Sequence, residues 1–403
     1  MTQKKDEKPS QSRRKFLKTG AALTAGFALG NAFGVPTLLR AAPAPIKIGI
    51  MLPFSGGMEL FGQQGLQGVK MLVEEVNAAG GLLDGRMLEI VQADNKSEPK
   101  TAVEVTTRLI QRDKVSCVIG PIGSALRDAI KPTVERLKTP LLYATDYEGG
   151  VCSPYIACYS PLPEHYVHPL VPYMMEQYGN KVYLFGADYT WPQKMNKAIK
   201  ETIAKHGGEV VREEYTPFGA KDFSATITKI KDSGANVILL TLPGADGVTF
   251  VKQYSAAGMK DTCKLGFFGF NDNYLPGLTS SESNGVMAIE HFARNLDRPE
   301  SKQFVANQLK MAGPNATVSY YAESHYGIAK FFAEAIKKGG SDKADDIMKN
   351  LPGTLTVGNG EVTLRPEDFH VDLNMLIVEA KDSQLNEVKY IGKIVAPNQC
   401  ATS

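Results

Sequence analysis

The sequence predicts an α/β protein built as two doubly wound parallel-sheet lobes. From about residue 45 onward, short apolar runs alternate with Gly/Ser/Asp-rich loops and amphipathic stretches. Strands alternating with helices of about 10–15 residues give parallel sheets covered on both faces. This beat runs in two series, one ending near residue 144 and one starting near 163, which points to two lobes. With 403 residues, 43% hydrophobic and 22% charged, the chain can bury more than one core and falls outside the disordered and collagen-like classes. No apolar run approaches the ~18 residues of a membrane span.

In the first series Ile46 to Met51 reads as a strand. The next helix, about Gly62 to Ala79, sets Leu66, Val69, Leu72, Val73 and Val76 on one face before Gly80-Gly81 stops it. Met87 to Ala93 is a strand, Pro99 to Arg112 a helix and Val115 to Ile119 a strand. Ser124 is placed to cap a helix whose buried face is Leu126, Ile130, Val134 and Leu137. Pro140 to Ala144 starts another strand.

The second series has helices at about 163 to Tyr178, Pro192 to His206, Asp222 to Ser233 and Asp246 to Ala257. Its strands are Lys181 to Gly186, Glu209 to Tyr215, Asn236 to Thr241, Lys264 to Phe268 and Val286 to Glu290. Helices at Pro299 to Lys310, Val318 to Lys338 and Asp342 to Asn350 then precede shorter strands from Thr354. A C-terminal part that completes both lobes gives residues 45–162 with 291–345 as lobe 1, residues 163–290 with 346–403 as lobe 2, and multiple hinge-like connections between them.

The first 44 residues stand apart. They hold eight of the 45 Lys/Arg and two of the 43 Asp/Glu, so the remainder is acidic by about four charges. Such a body has no electrostatic footprint for nucleic acid or anionic membrane. Ser12-Arg13-Arg14-Lys15-Phe16-Leu17-Lys18, a weakly apolar stretch to Val35, and small residues around Ala41 to Ala44 form a twin-arginine export signal, cleaved near residues 41–44. The mature chain is expected in the periplasm, delivered by the twin-arginine export machinery. In that oxidising compartment Cys152 and Cys158 are spaced to close a short loop, while Cys117, inside an apolar strand, is expected as a buried free thiol.

In open parallel sheets ligands bind outside the carboxyl ends of the strands. Here those loops, at residues 52–57, 120–124, 143–147, 186–191, 241–246 and 269–274, are rich in hydroxyls, aromatics and a few carboxylates, a mixture suited to a small polar organic solute. There is no G-x-S-x-G elbow, no phosphate loop, no G-x-G-x-x-G and no H-E-x-x-H, and no nucleophile and base that pair, so neither catalysis nor a cofactor is expected. His165 and His168, three apart beside Glu164, are expected as a solvated or interlobe pair rather than a metal site.

Ile46 to Gly56, the Gly62 to Gly81 helix ending Glu-Glu-Val-Asn-Ala-Ala-Gly-Gly, and Val118-Ile119-Gly120-Pro121 followed by Ser124 resemble the periplasmic solute-binding proteins of branched-chain amino acid and amide ABC transporters. The resemblance covers nearly the whole mature chain. It implies the type I periplasmic binding protein fold, with two α/β lobes joined by three crossovers that close on a solute before docking on an ABC permease. Asp146-Tyr147-Glu148-Gly149 leading to Cys152, residues 186–192 and residues 297–305 look most like the urea and short-chain amide binders. On that pattern Ser124, Tyr143 and Thr145 hold the polar end of the solute, and Tyr189 and Trp191 close over it.

Two positions depart from the subfamily, which looks to prefer tyrosine at Trp191 and an uncharged residue at Asp146. A carboxylate facing the crevice favours a ligand with an amino, amidine or other donor group. Asp272 raises the same expectation from lobe 2, near where amino-acid binders of this group resemble one another in using an acid for the ammonium. The expected function is delivery of urea or a short-chain amide to an ABC permease. The alternatives are a branched-chain or other amino acid as solute, or a periplasmic ligand sensor.

Overall fold

The computed structural model describes residues 43–401. The expected export signal lies outside these residues except for its last two. The first sheet holds β1 (Ile46–Leu52), β2 (Leu88–Asp94), β3 (Cys117–Ile119), β4 (Leu141–Tyr143) and β5 (Ile156–Cys158), all parallel, in the order β2-β1-β3-β4-β5. The central strand shows why the apolar run is nearly unbroken: Ile46, Ile48, Ile50 and Leu52 feed one core, while Met51, on the opposite face, feeds another with Val118, Leu141 and Tyr143. The helices α1 (Glu59–Ala78), α2 (Pro99–Gln111) and α3 (Ser124–Arg136) return the chain to successive strands. β5, only three residues long, carries no periodicity that would announce it.

After α4 (Pro163–Tyr178) the second sheet starts with β6 (Lys181–Ala187), followed by α5 (Thr190–Lys205), β7 (Glu209–Thr216), α6 (Ser224–Ser233), β8 (Val237–Thr241), α7 (Ala245–Ala256), β9 (Lys264–Phe267), the short α8 (Ser280–Ser283) and β10 (Met287–Glu290). These five strands are parallel. The chain then leaves through α9 (Pro299–Ala312), α10 (Tyr320–Gly339) and α11 (Ala344–Asn350), and returns as β11 (Gly353–Val357), β12 (Gly360–Leu364), β13 (Val371–Lys381) and β14 (Gln384–Ile394). The last four strands pair antiparallel, with β13 beside β10. The β13–β14 hairpin turns on Asp382 and Ser383, both at positive φ as a two-residue turn of this hand requires.

α10 belongs with the first sheet because α1 lets it come close. A Cβ on Gly68 would lie 2.1 Å from the Ala322 carbonyl oxygen, so any larger residue there would push the two helices apart. At the crossovers a single buried carboxylate gathers the chain. Glu323, on α10, accepts the Tyr159 hydroxyl at 3.0 Å from the link between β5 and α4. It also accepts the Asn359 backbone N–H at 2.9 Å from the β11–β12 turn. His291, on the link between β10 and α9, places Nε2 3.4 Å from the same carboxylate and 2.9 Å from Ser324 Oγ.

The C-terminal tail supplies a further tie. Arg365 bonds Asp368 at 2.6 Å, Asp372 at 3.0 Å and the Ala396 carbonyl at 2.6 Å, holding the tail beside the first sheet. There Gln399 accepts the Gly150 N–H at 2.7 Å, and Cys400 forms a disulfide with Cys152. The expected Cys152–Cys158 loop is thus replaced: Cys158 lies in β5 as a buried free thiol, and the tail brings a partner from 248 residues away. Cys117 is also a buried free thiol. His165 and His168 do not form a pair. His168 is exposed, whereas His165 is buried, accepting the Leu162 N–H at 2.9 Å and placing its other nitrogen 3.3 Å from the Ile394 carbonyl.

Glu323→Ala leaves the buried Tyr159 hydroxyl and Asn359 N–H without an acceptor, and is expected to cost about 3 kcal/mol or more, read as a fall in the midpoint of thermal or urea unfolding. Cys400→Ser is expected to cost about 2–5 kcal/mol. It should also free the tail for limited proteolysis near residue 395.

Candidate functional site

The two sheets point the carboxyl ends of their parallel strands at each other, and between them lies a cavity of about 310 Å³. Its wall is built almost wholly from strand-to-helix loops. The first lobe presents Gly56 and Met58 after β1, Ser97 and Pro99 after β2, Ile122 to Leu126 after β3, and Thr145 and Asp146 after β4. From the second come Tyr189 and Trp191 after β6, Phe218 after β7, Pro243 after β8, and Gly269 and Tyr274 after β9. The strand order of the first sheet reverses between β1 and β3, and the first turn of α3 opens into the cavity at that switch point.

Of the expected site residues, Ser124, Thr145, Asp146, Tyr189 and Trp191 line this cavity, and Tyr143 and Asp272 do not. Tyr143 ends β4 with its ring turned into the core, 5.0 Å beneath the buried Arg127 guanidinium and edge-on to Tyr147. Asp272 accepts the Arg294 N–H at 3.1 Å and faces a separate cavity, where burial raises its carboxyl to about 7. Ser124 is not the cap of α3. Gly123 holds that position, and the Ser124 hydroxyl donates to Glu148 Oε2 at 2.6 Å. Among the described residues no side chain caps this helix, which leaves its first-turn N–H groups open to an anion.

Polar groups on the wall are few. Thr145 Oγ1 is buried without a hydrogen-bond partner among the described residues. Trp191 Nε1 has the Tyr166 hydroxyl as polar neighbour but closes no hydrogen bond of ordinary geometry. Asp146 accepts the Tyr320 hydroxyl at 2.7 Å; loss of water raises its carboxyl pKa, against the opposing pull of that hydrogen bond and of His291. Among the described residues, no Lys, Arg or His lines the cavity. At its edge Glu148 joins the lobes, taking Lys194 of α5 at 3.0 Å with Arg127 3.8 Å away.

The aromatic wall was only partly visible in the sequence. Tyr321 stacks on Phe61 at 4.7 Å and on Tyr320 at 4.2 Å, yet it sits at the start of a helix remote in sequence from every strand-to-helix loop. Phe218 is the exception that exposure betrays: it is large, apolar and 47% exposed on a loop tip at the cavity's rim.

Residues 45–384 match the profile of a family described as periplasmic binding protein. The Leu/Ile/Val-binding protein homolog 6 of Brucella melitensis is 25% identical over 344 residues, spanning 83% of this chain and 87% of its own. Among solved structures, a Rhodopseudomonas palustris (R. palustris) ABC transporter solute-binding protein in complex with 4-hydroxybenzoate superposes with a TM-score of 0.77 at 26% identity, over 87% of this chain and 97% of that one. The branched-chain amino acid transporter substrate-binding protein of Streptococcus pneumoniae, in complex with isoleucine, superposes at 0.77 and 24% identity, over 87% and 100%; at that identity it speaks to the fold alone.

Trp191 is the chain's single tryptophan and stands on the cavity wall, so its emission is expected to change when the cavity fills. Trp191→Ala removes one wall and is expected to weaken solute binding by tenfold or more, followed by calorimetric titration.

Proposed function

Because the chain belongs to the periplasmic binding protein family, we propose that it is the solute-binding component of an ABC importer and that its solute is an apolar α-amino acid. One observation carries the choice of solute. The cavity pairs a desolvated acid, Asp146, with the open first turn of α3 and has no cationic side chain on its described wall. An α-amino acid matches both ends. Its ammonium takes Asp146, its carboxylate takes the N–H groups of the first turn of α3 with Thr145 Oγ1, and its side chain lies against Phe61, Trp191 and Tyr321. Urea and short amides, which the loop motifs suggest, fill little of this apolar wall, and relatives named for leucine, isoleucine and valine weigh toward the amino-acid alternative.

A bare aromatic carboxylate, such as the 4-hydroxybenzoate held by the R. palustris neighbour, suits the aromatic wall but meets an acid with no cation to offset it. On this reading the protein is exported by the twin-arginine route and cleaved near residues 41–44. It works in the periplasm by closing lobe 1 (45–162, 291–345) on lobe 2 (163–290, 346–394), the tail after Ile394 going with lobe 1, to which the Cys152–Cys400 disulfide ties it, rather than with lobe 2 as the sequence suggests, and it hands its solute to a membrane permease. Solute contacts made only in the closed form shift the population toward it, and the Lys194–Glu148 pair adds to that bias.

Thermal unfolding of ligand-stripped protein tests the solute class. Leucine, isoleucine or phenylalanine at ~100 times its dissociation constant adds about 2.7 kcal/mol and is expected to raise the midpoint by about 5 °C. Urea, acetamide, benzoate and 4-hydroxybenzoate are expected to leave it in place. A shift with the benzoates alone would replace the amino-acid reading with the aromatic carboxylate one.

A further inference from the structure

Behind Asp146 lies a second, much smaller chamber of about 10 Å³, the size of a site for one water or one ammonium group. Asp146 and Gly269 line both this chamber and the main cavity, so the two spaces share a wall. A Cβ built on Gly269 would meet nothing within 4 Å, and its φ of +83° holds the position to glycine. The far side of the chamber is Glu290, at the end of β10. It is 3% exposed, and its Oε1 has no hydrogen-bond partner among the described residues. A buried carboxyl group with an unpaired oxygen is costly, and the chamber brings it within one small group's width of a second acid.

We propose that this chamber is the subsite for a cationic head group of the solute, and that Glu290 is the residue that selects for it. The inference rests on the amino-acid reading of the main cavity and deepens it by placing the ammonium between two carboxyl groups rather than on Asp146 alone. Among the described residues, the titratable groups lining the chamber with Glu290 are acidic or neutral, Asp146 from the loop after β4, Tyr166 of α4 and Tyr320 of α10, and Asp272, Tyr274 and Tyr321 lie near enough to interact with it electrostatically. His291, next in the chain, turns Nε2 to Ser324 and Glu323. Burial, with Asp146 and Asp272 nearby, pushes the Glu290 carboxyl well up, so it holds a proton more tightly than an exposed glutamate does. An arriving ammonium displaces that proton to the buffer and leaves the carboxylate as its acceptor. Binding is therefore expected to release about one proton and to weaken about tenfold for each pH unit lowered while Glu290 is protonated in the empty form.

Three probes isolate the subsite: L-leucine, 3-methylbutylamine (leucine without its carboxylate) and 4-methylpentanoate (leucine without its amine). Binding to the whole ligand-stripped protein is followed by Trp191 emission and by calorimetry in two buffers of different ionisation enthalpy. The amine is expected to bind with release of about one proton, and 4-methylpentanoate to bind at least tenfold more weakly than leucine. Glu290→Gln, which keeps the side chain's shape, is expected to weaken the amine at least tenfold and to abolish the proton release. The subsite is overturned if the amine does not bind at 50 mM, if it binds without releasing a proton, or if 4-methylpentanoate matches leucine. Where Glu290→Gln fails to fold, Asp146→Asn decides: the amine is still expected to release about one proton from this variant, and loss of that release would assign the proton to Asp146 and overturn the role of Glu290. If the amine binds with proton release and leucine does not bind, the amino-acid reading falls and the subsite stands.

Discussion

Glu323 is fully buried, and a carboxylate persists there only where donors replace the water it has lost. Its donors come from parts of the chain far apart in sequence. Tyr159 arrives as the chain leaves the first sheet and Asn359 as it rejoins the second, with His291 alongside on the link between them. The Tyr159 hydroxyl and the Asn359 N–H both end on this carboxylate, so the crossovers meet at one point on α10. That point sits behind the cavity, and the lobes diverge from it. The glycine contact between α1 and α10 fixes the same helix to the first lobe, which makes α10 the frame against which the second lobe is positioned.

In front of this frame the charge distribution is one-sided. Asp146 is partly buried on the cavity wall and Glu290 is buried behind it, and among the described residues no guanidinium or ammonium lines either space to answer them. Such an arrangement of two neighbouring acids is costly. The cost is lowered by Tyr320, which donates to Asp146. Glu148, by contrast, is already answered by Ser124, Lys194 and Arg127, so it joins the lobes rather than offering an open acceptor.

The fold was legible because periodicity survives in single elements. The run from Ile46 and the amphipathic face at Leu66, Val69, Leu72 and Val76 each name their element without outside help. The loops that meet at the cavity were legible for the same reason, since they follow strands. What stayed hidden depends on contacts between distant segments. Ser124 reads as a cap until Glu148 is seen 2.6 Å from its hydroxyl. Tyr143 reads as a site residue until Arg127 is placed over its ring, and Cys152 reads as the partner of Cys158 until the tail arrives. Tyr321 and Glu290 carry no local signature, because both gain their meaning from the helix and loops packed around them.

The disulfide gives the molecule an unusual path for mechanical load. Cys152 lies just before β5, and Cys400 lies one residue from the end of the described chain. Tension applied between Pro43 and Ala401 therefore runs through β1 to β4 and crosses directly at the sulfur bridge. The whole second sheet, together with α9, α10 and α11, hangs from that bridge as a covalently closed loop and bears none of the load. Pulling on the oxidised chain peels strands from the first sheet alone, with a contour gain limited to about 110 residues; reduction would bring the remaining 248 into play.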